Sequence, residues 1–373
     1  MLRAMPMMQL ALQAARDAQR AVPPNPAVGC VLVAPDGTVI GVGHTQRTGG
    51  PHAEVMALRD AEAHGRSTEG ATAYVTLEPC SHHGRTGPCC DALIAARIGK
   101  VVAAIADPNP LVAGQGLERL RAAGVQVEIG AGGEESRELN IGFFSRMIRK
   151  TPWVRMKVAA SLDGKTALEN GVSQWITGAA ARADGQAWRA RASAVLTGVG
   201  TVMEDDPRLD VREVETPRQP HLVIVDSQLQ TPPDARLFEV QEREVWIYAA
   251  SPNAEKARAL EARGVSVRYA SNPQGKVDLA AMLADLAARE VNELHVEAGH
   301  KLNGSLMREG LVDELLVYLA PKLIGEGLDI ASRIHGPGSL TTLAGALPLE
   351  FRSVETVGSD LRIIARVAGR DAF

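Results

Sequence analysis

The sequence predicts an α/β protein of two domains in tandem. Three observations carry that reading. Short apolar runs alternate with helical periodicities nearly throughout. A charged segment broken by proline, Arg149-Lys150-Thr151-Pro152, falls near the middle. The length of 373 residues allows about two domains at roughly 150 residues each. Strand–helix alternation of this kind favours largely parallel sheets covered by helices.

In the first half a helix is expected over 11–18, a buried strand over 28–33 and a strand over 38–43, the last two joined as a hairpin through Asp36-Gly37. A helix from 52 to about 63, a strand over 71–77, a helix over 88–97 and a strand over 101–106 follow. A glycine-bounded helix at 116–123, a strand at 125–129 and a helix running to 147 complete this half. The boundary at this charged segment divides the chain into 1–148 and 149–373. The second half shows strands at 153–160, 194–197, 222–225, 245–248, 265–269, 293–296 and 315–319. Its helices lie near 179–190, 254–262, 279–289 and 302–309.

Composition narrows the function classes. With 45% hydrophobic and 23% charged residues, the chain matches soluble globular proteins, which excludes collagen, coiled coil and wholesale disorder. No apolar run approaches the roughly 18 residues of a membrane span. Pro6, Gln9, Gln13 and Arg16 interrupt any signal-peptide core, so a cytoplasmic location is expected. The net charge of −4 and an aromatic content of 3% argue against nucleic acid as partner, since such binders neutralise many phosphates and stack bases.

Three of the four cysteines, Cys80, Cys89 and Cys90, fall within eleven residues. Without a secretory signal, such clustering points to metal or catalysis before disulfides. His52-Ala53-Glu54 followed by Pro79-Cys80 and Cys89 offers one imidazole and two thiolates, leaving a fourth tetrahedral position for water. Zinc lowers the pKa of such a water toward about 7. Glu54, two residues from a ligand, can reach that water without ligating, as the non-ligand glutamate of zinc deaminases does. His52 and Cys89 both open predicted helices, whose free N–H groups favour thiolate. A closed four-ligand site using Cys90 or His82 is the alternative. Cys30, in an apolar strand, is expected in the core.

The run Thr76-Leu77-Glu78-Pro79-Cys80-Ser81-His82-His83-Gly84-Arg85-Thr86-Gly87-Pro88-Cys89-Cys90 resembles the pyrimidine deaminases of riboflavin biosynthesis. Eight residues separate the two cysteines, where cytidine and tRNA-adenosine deaminases carry a tight Pro-Cys-x-x-Cys. Asn25-Pro26-Ala27-Val28-Gly29-Cys30-Val31, Gly49-Gly50-Pro51-His52-Ala53-Glu54 and Asp107-Pro108-Asn109-Pro110 are similar to the same family. The resemblance implies a cytidine-deaminase-like α/β/α domain with zinc on His52, Cys80 and Cys89 and Glu54 as proton shuttle. It also places Asn25, His44, His82 and the Arg85 loop near substrate.

The second half lacks Gly-x-Gly-x-x-Gly. Two other glycine segments, Thr197-Gly198-Val199-Gly200-Thr201 and Glu297-Ala298-Gly299-His300, follow strands, the second opening a helix, as phosphate-binding turns do. Lys157-Val158-Ala159-Ala160-Ser161-Leu162-Asp163-Gly164-Lys165-Thr166-Ala167, Ser173-Gln174-Trp175-Ile176-Thr177 and Gly310-Leu311-Val312-Asp313-Glu314 resemble the riboflavin-pathway reductases, relatives of dihydrofolate reductase. That likeness implies a dihydrofolate-reductase-like α/β domain with NADPH contacts at Ala159, Trp175, Thr201, Asp205, Ser227, Gly299, His300, Lys301, Leu302, Asn303, Gly304 and Ser305. It implies substrate contacts at Ser173, Arg189, Leu209, Arg212 and Glu297. Arg189 and Arg212 could grip a ribose phosphate bidentately. Lys157, Asp205 and Glu297 are the candidate proton donors, Asp205 first and Lys157 next. Glu-Ala-Gly-His stands where that family has paired glycines.

Together these likenesses imply a bifunctional deaminase/reductase acting on a phosphorylated diaminopyrimidine, with a homo-oligomer built through the reductase half. The rivals are a nucleic-acid-editing deaminase fused to an unrelated domain, and a non-catalytic metal- or nucleotide-binding regulator. The insert between the cysteines speaks against the first, and Glu54 beside His52 against the second.

Overall fold

The computed structural model describes residues 4–81, 87–110, 113–336, 338 and 340–373. Contacts divide the chain into two compact units, 1–150 and 151–373.

The first unit contains α1 (Ala4–Ala18), β1 (Gly29–Val33), β2 (Val39–His44), α2 (Ala53–Ala63), β3 (Thr72–Val75), α3 (Cys89–Ala95), β4 (Lys100–Ala103), α4 (Gln115–Ala122), β5 (Gln126–Ile129), α5 (Gly133–Leu139) and α6 (Ile141–Arg149). Its sheet runs β2-β1-β3-β4-β5. β1 pairs antiparallel with β2 and β3, whereas β3, β4 and β5 are parallel. Small residues let two helices press directly on strands. A Cβ at Gly29 would lie 1.9 Å from the Ala11 carbonyl oxygen of α1, and one at Gly43 would lie 2.3 Å from the Ala57 nitrogen of α2. Gly43 pairs with Cys30, the neighbour of Gly29. Side chains alternate across a strand, so the two helices cover opposite faces, an α/β/α arrangement. Cys30 is fully buried there, as expected. The helix expected to run to 147 is two helices meeting at Asn140. That side chain accepts from Ala27 N–H at 2.7 Å and donates to Ala27 O at 2.9 Å, so it secures the β1 approach rather than continuing one helix.

The second unit contains β6 (Trp153–Ser161), β7 (Lys165–Ala167), α7 (Ala179–Arg191), β8 (Ala194–Gly198), α8 (Val199–Asp205), β9 (His221–Val225), β10 (Val245–Ala249), α9 (Ala254–Glu261), β11 (Val265–Tyr269), α10 (Leu279–Ala288), β12 (Glu293–Val296), α11 (His300–Arg308), β13 (Glu314–Ala320), β14 (Leu328–Asp329), β15 (Leu349–Val357) and β16 (Asp360–Val367). Nine strands form one sheet in the order β11-β10-β9-β8-β12-β6-β13-β16-β15. The seven from β11 to β13 are parallel, and the β15–β16 hairpin adds antiparallel to β13. Val154, Met156, Leu196, Val223, Met282 and Leu294 fill the core on the α10 side. The sequence reading ended its strands at 319 and so missed β14 and this hairpin. Their signal is weak because β15 is exposed along most of its length, and its alternation Leu349-Glu350-Phe351-Arg352 breaks at Ser353, where the pairing with β16 shifts register.

Candidate functional site

Three elements bring the first cluster together. His52 is the residue immediately before α2, Cys89 opens α3, and Cys80 lies in the turn after β3. His52 Nδ1 is 3.6 Å from Cys80 Sγ and 3.3 Å from Cys89 Sγ, and the Cys89 N–H points to Cys80 Sγ at 3.4 Å. All three ligand atoms lie within 4.8 Å of one another. One imidazole and two thiols at that separation suit tetrahedral zinc. Cys80 is pushed down to about 4, first by its hydrogen bond with Cys89 and, against burial, by His52. Cys89 is raised correspondingly.

Glu54 lies in the first turn of α2, buried, with its carboxyl beside the cluster. Burial, and then the Cys80 sulfur, push it up to about 7. A carboxyl at that value takes and returns a proton near neutrality. Cys90 is turned away, its Sγ contacting Pro79 O at 3.2 Å and Gly116 O at 3.4 Å. Of the two residues weighed as a fourth ligand, Cys90 therefore faces elsewhere. His82 and the Arg85 loop lie outside the described residues. Asn25 and His44 are half-buried in the segments before β1 and at the end of β2. His44 Nδ1 sits 3.1 Å from Thr45 O and 3.2 Å from Gln46 Nε2.

Behind Cys80, Glu78 has a role that its place in the motif did not reveal. Its buried carboxylate accepts from the N–H groups of Asp107 (3.1 Å), Gly114 (2.9 Å), Gly116 (2.9 Å) and Leu117 (3.4 Å). It thereby fastens the 107–110 segment and the start of α4 under the cysteine turn. A Cβ at Gly116 would meet Pro79 O at 2.0 Å, so only glycine fits.

In the second unit, strand alternation puts Glu293, His295 and Glu297 on one side of the chain at β12 and its end. Arg189 of α7 reaches Glu297 through two hydrogen bonds, Nε to Oε1 at 2.6 Å and Nη2 to Oε2 at 2.9 Å. Lys157 of β6 faces both. Burial and Arg189 lower its pKa, and Glu297 opposes them. The structure thus brings Lys157, Arg189 and Glu297 together. It also differs from the sequence expectation, since the forked edge of Arg189 addresses a carboxylate of its own chain, not an open phosphate position. Arg212, exposed, pairs with Asp210. Asp205 is exposed in the last turn of α8, its pKa raised by partial burial and by Glu204. Leu209 is buried at φ +48°.

His295 was not anticipated. It is fully buried, neither ring nitrogen has a hydrogen-bond partner, and its Nε2 lies 3.5 Å from Glu297 Oε1. Burial pushes it down to about 3, so it is neutral. The polar alternation Glu-x-His-x-Glu in a strand was the available signal.

The two glycine segments converge. β8 and β12 are adjacent and parallel, and Gly198 and Gly299 at their ends each precede a helix with no side-chain cap. Thr201 Oγ1 lies 3.9 Å from where a Cβ at Gly299 would be, and Leu302 lies 3.3 Å from one at Gly198. Uncapped N–H groups at a helix start suit a phosphate. Within the second segment, the Asn303 amide donates to Ile330 O at 3.1 Å and the Ser305 hydroxyl to Lys301 O at 3.2 Å, and His300 O accepts from Ser332 N–H at 2.9 Å. A Cβ at Gly304 would collide with Ser332 O. Ala159 and Ser173 are half-buried, and Trp175 is exposed beneath the Arg182 guanidinium, 4.6 Å from its ring centroid. Ser227 Oγ, after β9, accepts from Val277 N–H at 3.3 Å.

A candidate zinc cluster of deaminase type in one unit and a reductase-type domain in the other make this a two-activity enzyme, a deaminase joined to a reductase. Residues 3–105 match the cytidine and deoxycytidylate deaminase zinc-binding region, and 152–363 match the RibD C-terminal domain. The riboflavin biosynthesis protein RibD of Escherichia coli is 44% identical over 95% of this chain and 96% of its own, and that of Aquifex aeolicus 41% over 95% and 96%. The Acinetobacter baumannii RibD structure superposes with a TM-score of 0.87 at 39% identity, covering 98% of both chains. The Thermotoga maritima diaminohydroxyphosphoribosylaminopyrimidine deaminase/5-amino-6-(5-phosphoribosylamino)uracil reductase gives 0.86 at 33% identity, covering 98% of this chain and 99% of its own. The chain belongs to the RibD family of riboflavin biosynthesis proteins, bifunctional deaminase/reductases. Among the described residues no helix is long and apolar enough to cross a membrane.

Proposed function

We propose that the first unit removes the 2-amino group of 2,5-diamino-6-(ribosylamino)-4(3H)-pyrimidinone 5′-phosphate by hydrolysis. The second unit then reduces the ribosyl group of the product, 5-amino-6-(5-phosphoribosylamino)uracil, to ribityl with NADPH. The observation that carries the reading is the convergence of His52 Nδ1, Cys80 Sγ and Cys89 Sγ within 4.8 Å, with the buried Glu54 carboxyl beside them.

His52, Cys80 and Cys89 would hold zinc, which when bound supplies a Lewis acid that makes water a nucleophile near pH 7. Glu54 takes the proton of that water and delivers it to the leaving amine, and its burial tunes the carboxyl to do both. Asn25, His44, His82 and the Arg85 loop orient the substrate.

In the second unit NADPH supplies the reducing equivalents. Gly299, His300, Lys301, Leu302, Asn303, Gly304 and Ser305 receive its phosphates at the α11 start, with Ala159, Trp175, Thr201, Asp205 and Ser227 as further contacts. Ser173, Leu209 and Arg212 meet the substrate, and Glu297 is held towards it by Arg189. Lys157, half-buried against Glu297, is the better-placed proton donor for ring opening of the ribose, and Asp205 the second. The exposed edge strand β15, with Phe351 72% accessible, supports a homo-oligomer formed through this unit.

Ammonia release by Glu54→Gln, with zinc content measured alongside, tests the assignment. The variant is expected to keep its zinc and lose on the order of 10²–10⁴-fold in deamination, while NADPH oxidation on the deaminated pyrimidine continues. Equal deamination rates would remove Glu54 from the proton step.

A further inference from the structure

Between α8 and β9 the chain runs irregularly, and residues 206–212 are held chiefly by side chains from elsewhere. Asp206 and Leu209 adopt φ of +39° and +48°, a region that L side chains disfavour. Something outside the segment must therefore hold it.

The clamps are specific. Gln186 Oε1 accepts from Arg212 N–H at 3.1 Å, and Gln219 Oε1 and Nε2 engage Val211 N–H and O at 2.7 and 3.0 Å. Arg189 donates to Asp210 O. Arg243, just before β10, does most. Its Nη1 donates to Leu209 O at 2.6 Å, and its Nη2 to Arg208 O at 2.9 Å and Leu237 O at 2.7 Å. It alone bonds two consecutive carbonyls of the segment and ties them to the short 3-10 helix Arg236–Glu239. A planar guanidinium can serve three carbonyls from one fixed geometry, which an ammonium on a flexible stem cannot. The Arg243 Nε is buried and without a partner, so the hydrogen bonds of this side chain go to these three carbonyls.

We propose that Arg243 is a positioning residue for the reduction. Its guanidinium sets the course of residues 208–212, and with it the placement of Leu209 and Arg212 against the pyrimidine phosphate. The inference rests on the reading above that Leu209 and Arg212 meet the substrate.

The test uses the full chain with Arg243→Ala, Arg243→Lys and Arg212→Ala. Two measurements are made: steady-state reduction of the deaminated pyrimidine phosphate by NADPH, and hydrogen exchange of amides 206–213. Arg243→Ala is expected to speed exchange in that segment and to raise KM for the pyrimidine on the order of tenfold. KM for NADPH and the rate of ammonia release stay parental. Arg243→Lys is expected to fall between, and if the alanine variant does not fold, the lysine variant carries both measurements. Parental exchange would overturn the inference whatever the kinetics. Faster exchange with a parental KM overturns it too if Arg212→Ala raises KM. If Arg212→Ala also leaves KM parental, the reading of the segment as a substrate contact is what fails.

Discussion

Glu297 and Arg189 stand 108 residues apart in the chain and meet through two parallel hydrogen bonds of 2.6 and 2.9 Å. The pair joins the end of β12 to α7 at the place where Lys157 also arrives, so it holds the carboxylate of the second unit in one orientation. Burial alone would raise the Glu297 carboxyl, but Arg189, then Lys157, hold it well below the ordinary carboxylate range. A carboxyl depressed on folding contributes its stability in full above its unfolded pKa of about 4.3 and loses it as pH falls toward the folded value. Removing one partner of a buried pair costs about 3–5 kcal/mol. Glu297→Ala is therefore expected to lower the unfolding free energy of the second unit by that order at pH 7, and the gap from the parent should narrow below about pH 4. Denaturant melts across pH measure it. A gap unchanged down to about pH 3 would mean that charge is not what the pair contributes.

Lys157 lies half-buried against this pair, and burial lowers its ammonium pKa. A lysine acid of that kind stops donating as pH rises through its own pKa, here under the ordinary value of about 10.4. Lys157→Gln is expected to cost reduction on the order of 10²–10⁴-fold, with NADPH binding by fluorescence and ammonia release preserved. Near-parental turnover would leave the proton step to Asp205.

Cys90 neighbours Cys89 in sequence, yet its sulfur faces the carbonyls of Pro79 and Gly116. Cys90→Ser is expected to keep full zinc content, and Cys89→Ser to lose it, by metal analysis of the purified chains. Zinc loss from the Cys90 variant would restore the closed four-ligand alternative.

Glu78 accepts four backbone N–H groups under the cysteine turn. Glutamine of the same shape offers one carbonyl oxygen and turns an NH₂ toward donors. Glu78→Gln is expected to destabilise the first unit by about 1–3 kcal/mol and to weaken zinc retention about 10–100-fold, as loss of a supporting contact does. Thermal melts and chelator competition read the two effects. Parental zinc retention in a destabilised variant would confine Glu78 to holding the fold.

Much of the first unit was written locally. His52, Glu54, Cys80 and Cys89 could be singled out because their residue types and short spacings state the chemistry, and His52 and Cys89 fall at helix starts that the local pattern marks. The same holds for the alternation of β1, β3, β6, β8 and β12 with their helices. The hairpin of β15 and β16 went unread, because the alternation of β15 breaks at its bulge before Ser353 and β16 carries the consecutive apolar run Ile363-Ile364-Ala365 in place of a period-two pattern. Arg189, identified as a phosphate grip, turned out to face Glu297, and Glu78, His295 and Arg243 drew no attention as individual side chains. Residue type and short spacing state which chemistry a segment can perform. Which partner a buried arginine meets across a hundred residues depends on sheet order and on how a helix lies over a strand, and only the packed chain decides those.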